Sequence, residues 1–580
     1  MNKVQKIIQQ IKTNKWIHYV IIIVIGIILS IPLSQIQLRD THDGSLHLLR
    51  ILGTENTFKI GEIPPIVAPY FCNNGGYAMN LFYNPLVTYI PLLIKLVVGT
   101  YALALKIFAG ICITLSGITM YKFVETVTKN KAISLFSAIA YMIAPYKLVD
   151  VYIRFAIGEF AAFVFMPILF IGIYNLFNGD KKKHYFIAIG ATGLLLTHTV
   201  TTFYMAILCV IYILFNIKKL KEKDVIKKIF INGAFILLIS AFFLLPMLEA
   251  KATTEYPIFD DEIMATNANY VSGNTIDISE FFVDKWALIS DDKKACSFVI
   301  GVPIFVLFIL TIFTYKKVDK KYKDFYILSL MFSIISLYMA TKYCPWMIFP
   351  NFLCKLQYPW RMIGFFNFFS AFAVGVNMYI LIKWIFKKDL SRLIATLILI
   401  VAMVGYTLPI ILQYKTDDNT KDEKYEKQNI NNPYVYHLSI NREYLPKKAL
   451  LLQRTYLKER KDKIYVLQGN ANIVSEEKKD LENTAKIENV EKGTILEMPF
   501  FYYPGYEITL EINGEKTILK TIESDNGFVA CEILEDVEQA TISTKYVGTK
   551  LTKISYIISL ISLIIFITYI ILEKRKENNV

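Results

Sequence analysis

The sequence predicts a polytopic α-helical membrane protein of about 12 spans with an extracytoplasmic β-sandwich-like domain near its C-terminus. Of the 580 residues, 54% are hydrophobic and the mean hydropathy is +0.41, well above the usual level for a soluble protein. Lys and Arg occur in short packets between apolar runs, as in the cytoplasmic loops of membrane proteins. From about Thr484, short alternating runs with turn signals indicate β-strands.

The net charge of +14 does not indicate a nucleic-acid partner. Nucleic-acid binding requires basic residues clustered on one folded surface, and here they are dispersed between apolar segments. The seven cysteines show no zinc-ligand spacing and no CxxC motif, so neither a zinc site nor a disulfide scaffold is indicated.

The basic packets predict the topology. About 20 apolar residues cross a bilayer, and an even number of crossings must separate any two cytoplasmic packets. Placing every packet in the cytoplasm gives spans at residues 17–36, 100–122, 131–148, 156–177, 185–197, 199–217, 227–248, 298–315, 324–341, 362–384, 392–413 and 553–572. We therefore expect a multi-pass plasma-membrane protein with both termini in the cytoplasm and its large loops outside.

This topology divides the chain into three parts. They are a transmembrane domain at 1–413 with its first outer loop at 37–99, an extracytoplasmic domain at 414–552 that is β-rich from about 484, and a final span with a basic tail at 553–580. Asn513-Gly514 predicts a two-residue hairpin turn in the second part. The apolar run from Leu81 to Ile94 is too short for a confident crossing and is predicted to be a juxtamembrane or re-entrant helix.

The stretch RDTHDGSLHLLR, residues 39–50, opens the first outer loop. Asp43, His47 and Arg50 follow an i, i+4, i+7 pattern and share one face if the segment is helical. Asp40 and His42 lie just before that helix, where a carboxylate can act as a general base or a metal ligand. The alternative is a solvated helix start, with Asp40 as a cap and Arg50 bound to lipid phosphate.

Further polar residues are predicted at the same outer level. Arg154 and Glu159 flank the start of a span, where a bare carboxylate is costly and faces a cavity or a partner. His198 lies at the turn between two short spans. A structural ion pair and a packing histidine are the alternatives.

The loop before the span at 362–384 contains Gln357, Trp360 and Arg361. Arg binds phosphate in bidentate fashion, and Trp is favoured at a membrane interface, so these residues are candidates for binding a phosphate and stacking on a sugar or lipid head group. An aromatic belt with an interfacial arginine is the alternative.

Several motifs are missing. The chain contains no P-loop, nucleophile elbow, HExxH or dinucleotide fingerprint. Because nucleotides are not supplied outside the cell, chemistry on this face needs a substrate that is already activated there. A lipid-linked donor meets that requirement.

Five stretches carry a resemblance to a known family. They are THDGSLHLLR, NGGYAMNLFYNPL, YIRFAIGEFAAFVFMPIL, LLTHTVTTF and LQYPWRMIGF, followed by a β-domain that ends in a last span. In this order they resemble the bacterial YfhO-like membrane proteins, also called 6-pyruvoyl-tetrahydropterin-synthase-related, of the GT-C glycosyltransferase superfamily. The resemblance covers nearly the whole chain.

The resemblance implies a glycosyltransferase with a polyprenyl-phosphate sugar donor and a catalytic acidic residue in the first outer loop. Asp43 would be the general base, with Asp40 as the second candidate. The acceptor would be a cell-wall polymer, a glycolipid or a protein. A divalent metal is possible, and no other cofactor is expected. A transporter or flippase of lipid-linked glycan, using the same polar residues without bond chemistry, is the alternative function, and a structural or receptor role for the outer domain is a third.

Overall fold

The computed structural model describes residues 14–34, 36–282, 298–407, 422, 424, 426–427, 442–452, 460 and 462–578. The segments outside the described residues include the basic packet before Asn14 and most of the polar stretch that begins at Asp417 in the outer domain. The protein is a multi-pass helical membrane protein with a C-terminal β-domain, as the sequence predicts.

The helices of the described chain fall into an N-terminal series and a C-terminal series. The first comprises α1 (Lys15–Ser30), α2 (Gly44–Lys59), α3 (Met79–Phe82), α4 (Leu86–Val98), α5 (Tyr101–Thr128), α6 (Lys131–Met142), α7 (Pro145–Val149), α8 (Ile157–Asn178), α9 (Phe186–Leu195), α10 (Thr199–Phe215), α11 (Lys223–Ile239), α12 (Ala241–Thr253) and α13 (Ala268–Gly273). The second comprises α14 (Val302–Ile309), α15 (Thr311–Thr314), α16 (Lys323–Ala340), α17 (Met362–Ile385), α18 (Asp389–Gly405), α19 (Lys447–Leu451) and α20 (Lys550–Asn578).

Within the described residues, each of the twelve predicted spans overlaps a helix, but not every helix is long enough to cross a membrane. Within the described residues, six helices are long and apolar enough, or up to eight if each of two bent pairs is one span. The pairs are Lys131–Met142 with Pro145–Arg154, bent by 48°, and Lys223–Ile239 with Ala241–Thr253, bent by 68°. The two numbers count different things: charge parity counts every apolar run, whereas this count admits only long helices, and apolar helices such as Thr199–Phe215 are shorter.

The predicted pair of spans at 185–197 and 199–217 shows this difference. Helix α9 has 10 residues and α10 has 17, so α9 extends only about 15 Å. They meet at a tight turn around His198, as the sequence predicts. The run from Leu81 to Ile94, predicted as juxtamembrane or re-entrant, overlaps α4, which has 13 residues and ends at Val98.

A break in the backbone shapes the outer end of the bundle. After α7, residues Asp150–Arg154 form a short π-helix that ends at Phe155, whose φ is 50°. Helix α8 starts two residues later, at Ile157. Arg154 and Glu159 therefore lie on either side of this break in the backbone.

The β-domain consists of two antiparallel sheets. Its strands are β1 (Tyr465–Gln468), β2 (Asn472–Lys479), β3 (Glu482–Val490), β4 (Ile495–Phe501), β5 (Tyr506–Ile512), β6 (Glu515–Leu519), β7 (Ile522–Glu523), β8 (Phe528–Glu532) and β9 (Val537–Tyr546). The sheet orders are β1-β4-β8-β7 and β2-β3-β9-β5-β6. Inward residues of both sheets, such as Ile487, Leu496 and Ile542, belong to one hydrophobic core.

One β-domain expectation is confirmed and one is corrected. Asn513 and Gly514 have φ values of 51° and 88° and connect β5 to β6, which confirms the hairpin turn. Strands begin at Tyr465 rather than at about 484. The earlier strands were missed because β2, with the sequence NIVSEEKK, is mostly exposed and polar and so lacks a clear apolar alternation.

The β-domain rests on the first outer loop. The backbone N–H of Phe501 donates to the carbonyl of Gly75 at 2.9 Å, and the Asn74 amide donates to Asp462 at 2.8 Å. Lys478 donates to the carbonyl of Asn74 at 2.7 Å. The loop after α2 is therefore held between the bundle and the strands.

Helices α8 and α9 pack through glycines. A Cβ on Gly190 would lie 2.3 Å from the backbone nitrogen of Leu169, so only glycine permits this approach. We expect Gly190→Ala to destabilise the protein by about 1–3 kcal/mol, because the added methyl must push the helices apart. A thermal unfolding curve of the purified protein in detergent would measure it.

Gly233→Ala in α11 is the matched control, since nothing lies within 4 Å of its added Cβ. This variant should match or exceed the wild type, by up to about 1 kcal/mol from helix propensity. Equal unfolding midpoints for the two variants would contradict the close packing of α8 on α9.

Candidate functional site

Backbone hydrogen bonds join the first outer loop to the π-helix. The N–H groups of His42 and Asp43 donate to the carbonyls of Ile153 and Arg154 at 3.1 and 2.9 Å. Helix α2 starts directly afterwards, at Gly44. The loop motif and the Arg154 region, more than a hundred residues apart in sequence, thus form one structure.

A buried group of charged residues lies beside this junction; we call Tyr146, Asp150, Arg154, Glu159 and Arg361 the arginine cluster. The Glu159 carboxylate accepts from Tyr146 Oη at 2.7 Å and from Arg154 Nη1 at 2.8 Å. Arg154 also pairs with Asp150, and Arg361 Nε lies 3.7 Å from Glu159 Oε2. Because both carboxylates are held by arginines, their charges are compensated in a buried site.

Trp360 forms an aromatic wall beside the arginine cluster. The Arg154 guanidinium lies 4.6 Å from the centre of its ring, and Tyr358 stacks on the ring at 4.9 Å. Arg361 Nη1 donates to the carbonyl of Leu356 at 3.0 Å. In the described part of the chain, no group accepts a hydrogen bond from Arg361 Nη2, so this donor is available to an anion.

His198 joins the arginine cluster from the α9–α10 turn. A Cβ built on Gly158 would lie 3.1 Å from its Cδ2, which shows how closely α8 approaches the ring. His198 Nδ1 accepts from the backbone N–H of Thr201 at 3.3 Å, so the proton of the neutral ring is on Nε2. Among the described residues no acceptor meets Nε2, which leaves an N–H donor for a ligand.

Electrostatics keep His198 neutral. Burial lowers the pKa of its imidazole to about 4; the Glu159 charge opposes this shift and the Arg361 and Arg154 charges add to it. At neutral pH the residue is therefore a hydrogen-bond donor rather than a cation.

A second buried group surrounds Arg50 on α2. Its guanidinium lies 3.6 Å from the centre of the Tyr83 ring, and its Nη2 lies 3.7 Å from Glu443 and 3.4 Å from Tyr444 Oη. His47 Nδ1 is 3.3 Å from Arg50 Nη1 and must accept, because arginine only donates. Burial and the Arg50 charge hold the pKa of His47 well below its usual range.

Asp43 is the N-cap residue of α2, yet its side chain makes no capping hydrogen bond. The carboxylate is half-buried, and in the described residues it has no hydrogen-bond or ion-pair partner. The Asp43 backbone N–H donates to the Arg154 carbonyl at 2.9 Å and the Asp43 carbonyl accepts from the His47 N–H at 3.0 Å, so the Asp43 backbone connects the two buried groups. Asp40, by contrast, is 54% exposed and lies 3.7 Å from Arg39.

The structure brings five of the sequence-predicted residues to one place: Arg154, Glu159, His198, Trp360 and Arg361. His47 and Arg50 form the neighbouring group, as the helical spacing predicts. His42 is exposed at the loop surface. Gln357 donates to the carbonyl of Met264 at 3.2 Å, so its amide is occupied by an outer loop.

Sequence reasoning missed Tyr146, Asp150, Tyr83, Glu443 and Tyr444. The i, i+4 spacing of Asp150 and Arg154 was a usable signal. Glu443 and Tyr444 had none, because about 390 residues separate them from Arg50.

An apolar groove reaches Leu196, two residues before His198. Its volume is about 490 Å³. The lining includes Phe165 of α8, Leu196 at the end of α9, Phe242 of α12 and Phe566 of α20. Almost every lining side chain is apolar. A groove of this kind accommodates a hydrocarbon chain next to the polar site.

The described residues contain no group of three or more His, Cys, Asp or Glu side chains placed to hold a metal ion. Within this part of the chain, neither Asp43 nor Asp40 belongs to a set of side chains that could bind a metal ion.

Comparisons with known proteins give limited matches. No family model matches the chain. A protein described as uncharacterized, from Lactococcus lactis subsp. cremoris (strain MG1363), is 28% identical over 356 residues; the match covers 59% of this chain and 56% of that protein. Among solved structures, the arabinofuranosyltransferase AftD from Mycobacteria aligns with 68% of this chain and 26% of its own, at a TM-score of 0.41 and 11% identity.

The ion pairs in the arginine cluster should contribute to stability. We expect Glu159→Gln to lower the unfolding free energy by about 3 kcal/mol, because it leaves Arg154 and Arg361 buried with less compensating charge. Glu222→Gln is the control: its side chain is 49% exposed where it pairs with Lys181, so the loss should stay within about 1 kcal/mol. Similar midpoints in detergent for both variants would argue against a compensated buried cluster.

The low pKa of His198 predicts how stability varies with pH. The folded protein resists protonation of this ring down to about pH 4, whereas the unfolded chain takes up the proton below about pH 6.5. The contribution of the neutral His198 ring to the free energy of unfolding is therefore complete above pH 6.5 and is lost as the pH falls towards 4. Between pH 7 and 5 the wild type should lose ~1–2 kcal/mol more than His198→Gln. Parallel curves for the two proteins would show that the ring is not held neutral.

Proposed function

We propose that this protein is a membrane glycosyltransferase of the GT-C type that transfers a sugar from a polyprenyl-phosphate donor to a cell-envelope acceptor, with Asp43 as the general base. One observation carries the proposal. A carboxylate without a partner in the described chain lies at the edge of a buried group whose arginine and histidine present unused N–H donors. A base beside an anion site is the arrangement that sugar transfer from a lipid phosphate needs.

Asp43 suits the role of base. A sugar hydroxyl has a pKa far above 7, so a carboxylate that accepts its proton during attack accelerates the reaction by ~10²- to 10⁴-fold. The Asp43 carboxylate is half-buried and has no partner among the described residues, so it can approach a hydroxyl directly. Asp40, which is more exposed and pairs with Arg39, is the weaker candidate.

Arg361 and His198 suit the phosphate. Arg361 Nη2 and His198 Nε2 are donors without partners in the described chain, and both side chains adjoin the Glu159 carboxylate. Donors fixed in a partly dry site stabilise a developing negative charge without reorganising. Trp360 offers a flat surface beside them on which a sugar ring can stack.

The reaction is a single displacement. The acceptor oxygen forms a bond to the anomeric carbon while the bond from that carbon to the phosphate oxygen breaks. The hydroxyl proton passes to Asp43, and the electron pair of the broken bond remains on the lipid phosphate beside Arg361. The anomeric configuration is inverted, because no covalent intermediate forms.

The apolar groove suits the donor's tail. It starts at Leu196, two residues from His198, and leads away along α20. A polyprenyl chain in this groove would place its phosphate at the His198 side of the arginine cluster. In the proposed orientation both termini are cytoplasmic, and the cluster and the β-domain face the cell envelope, where the acceptor is a cell-wall polymer, a glycolipid or a protein.

Asp43→Asn tests the base. In liposomes supplied with radiolabelled polyprenyl-phosphate sugars and extracted envelope acceptors, we expect this variant to lose transfer by ~10²-fold or more. Its thermal stability should be unchanged, because Asn caps a helix about as well as Asp and the Asp43 side chain makes no capping bond. Label leaving the lipid is the measurement.

Asp40→Asn is the matched control and should retain transfer. Loss of transfer in Asp40→Asn alone would move the base to Asp40. If the wild type transferred no sugar from any donor but moved the lipid across the bilayer, the flippase would replace the transferase.

A further inference from the structure

A positively charged cavity lies at the far end of the bundle. Helix α17 starts beside Arg361 and ends near Lys383; its 24 residues extend about 36 Å, enough to cross a membrane core of about 30 Å. The cavity surrounds this far end of α17, away from the arginine cluster. It therefore belongs to neither the proposed reaction nor the β-domain.

Three junctions of the fold build the cavity. Its volume is about 580 Å³, and it lies between the α5–α6 turn, the last turns of α17 and the start of α18. Lys129 closes α5 in the left-handed conformation, with a φ of 54°, and Asn130 then caps α6. The turn thus holds Lys129 and Lys131 at the mouth of the cavity.

The charges in this cavity are one-sided. Four cations line it, Lys129, Lys131, Lys383 and Arg392, and none of the described lining residues is acidic. Asp389, just outside, lies 3.4 Å from Arg392. Lys129 and Lys383 face no carboxylate among the described lining residues, and the excess of positive charge in the cavity attracts an anion.

The inner wall of the cavity is apolar. Leu135, Phe136 and Ile382 lie behind the cations and are buried. On the outside, Ile385 and Ile394 are 63% and 48% exposed on the flank that faces hydrocarbon. A ligand with a negative head and an apolar body satisfies both sets of residues.

We propose that this cavity binds the phosphate-bearing head group of an anionic membrane lipid. Basic pockets between membrane helices at the cytoplasmic side bind such head groups. The phosphate would lie between Lys129 and Lys383, and the glycerol and upper acyl chain would contact the apolar wall. A bound lipid would link α18 to the α5–α6 turn and so stabilise an end of the bundle that has few protein contacts of its own.

Native mass spectrometry of the full-length protein in neutral detergent tests the site. The protein is titrated separately with phosphatidylglycerol, phosphatidylcholine and inorganic phosphate. We expect phosphatidylglycerol to bind in preference to phosphatidylcholine, and Lys129→Gln/Lys383→Gln to weaken its Kd by about 10- to 30-fold, since each lysine near an anionic head contributes to binding.

Lys221→Gln/Lys223→Gln is the matched control. It removes the same charge at the same end of the bundle, from exposed residues outside the cavity, and should retain wild-type affinity. Equal weakening in both double variants would overturn the site, because binding would then follow net charge alone. Saturation by inorganic phosphate with no preference for phosphatidylglycerol would replace the lipid with free phosphate.

Discussion

The two hydrogen bonds from His42 and Asp43 to the carbonyls of Ile153 and Arg154 are the constraint on which the site depends. Buried backbone donors must find acceptors, and the π-helix supplies them because Ile153 and Arg154 are its last residues and the last carbonyls of a helix have no partner within it. The bonds fix where α2 begins. Since α2 carries Arg50 and α8 carries Glu159, they also fix how the two buried groups face each other.

The arginine cluster is stable only as a set. Arg154, Glu159 and Asp150 are each less than 6% exposed, and a single buried charge among them would be strongly unfavourable. The carboxylates hold the guanidiniums in place and leave Arg361 Nη2 without a partner in the described chain. The stability of the cluster and the anion binding that we propose for it would thus have one origin: the donors are oriented before any ligand arrives.

The sequence predicted the parts of this arrangement that follow from local pattern and charge. Helical spacing placed His47 and Arg50 together, parity put Arg154, His198 and Arg361 on one side, and Asn513-Gly514 gave a hairpin. Contacts made by distant segments were out of reach, as Glu443 beside Arg50 illustrates. The lengths of the helices were out of reach for a related reason: whether an apolar run continues as helix depends on turns such as that at Phe155, which are determined by tertiary packing.

The other buried carboxylates explain why Asp43 is the distinctive one. Burial opposes the charge of Glu55, yet hydrogen bonds from Lys59, Lys95 and Tyr101 outweigh it and lower its pKa to about 2. Glu497 in the β-domain accepts from Arg460 at 2.9 Å and from Ser524 at 2.6 Å. A carboxylate held in this way is a poor base, because accepting a proton would break the bonds that hold it.

Asp43 has no such bonds in the described chain, although Arg50 and Arg361 lie close enough for their charges to act on the same tyrosine, Tyr83. Arg50 is already engaged by Tyr444 and Glu443, and Arg361 contacts Leu356 through Nη1 and Glu159 through Nε, which leaves only its Nη2 without a partner in the described chain. By occupying the nearby cations, the two buried groups leave one carboxylate uncommitted at their shared edge. A general base needs that freedom, and a purely structural aspartate at the start of a helix would have used it to cap the helix.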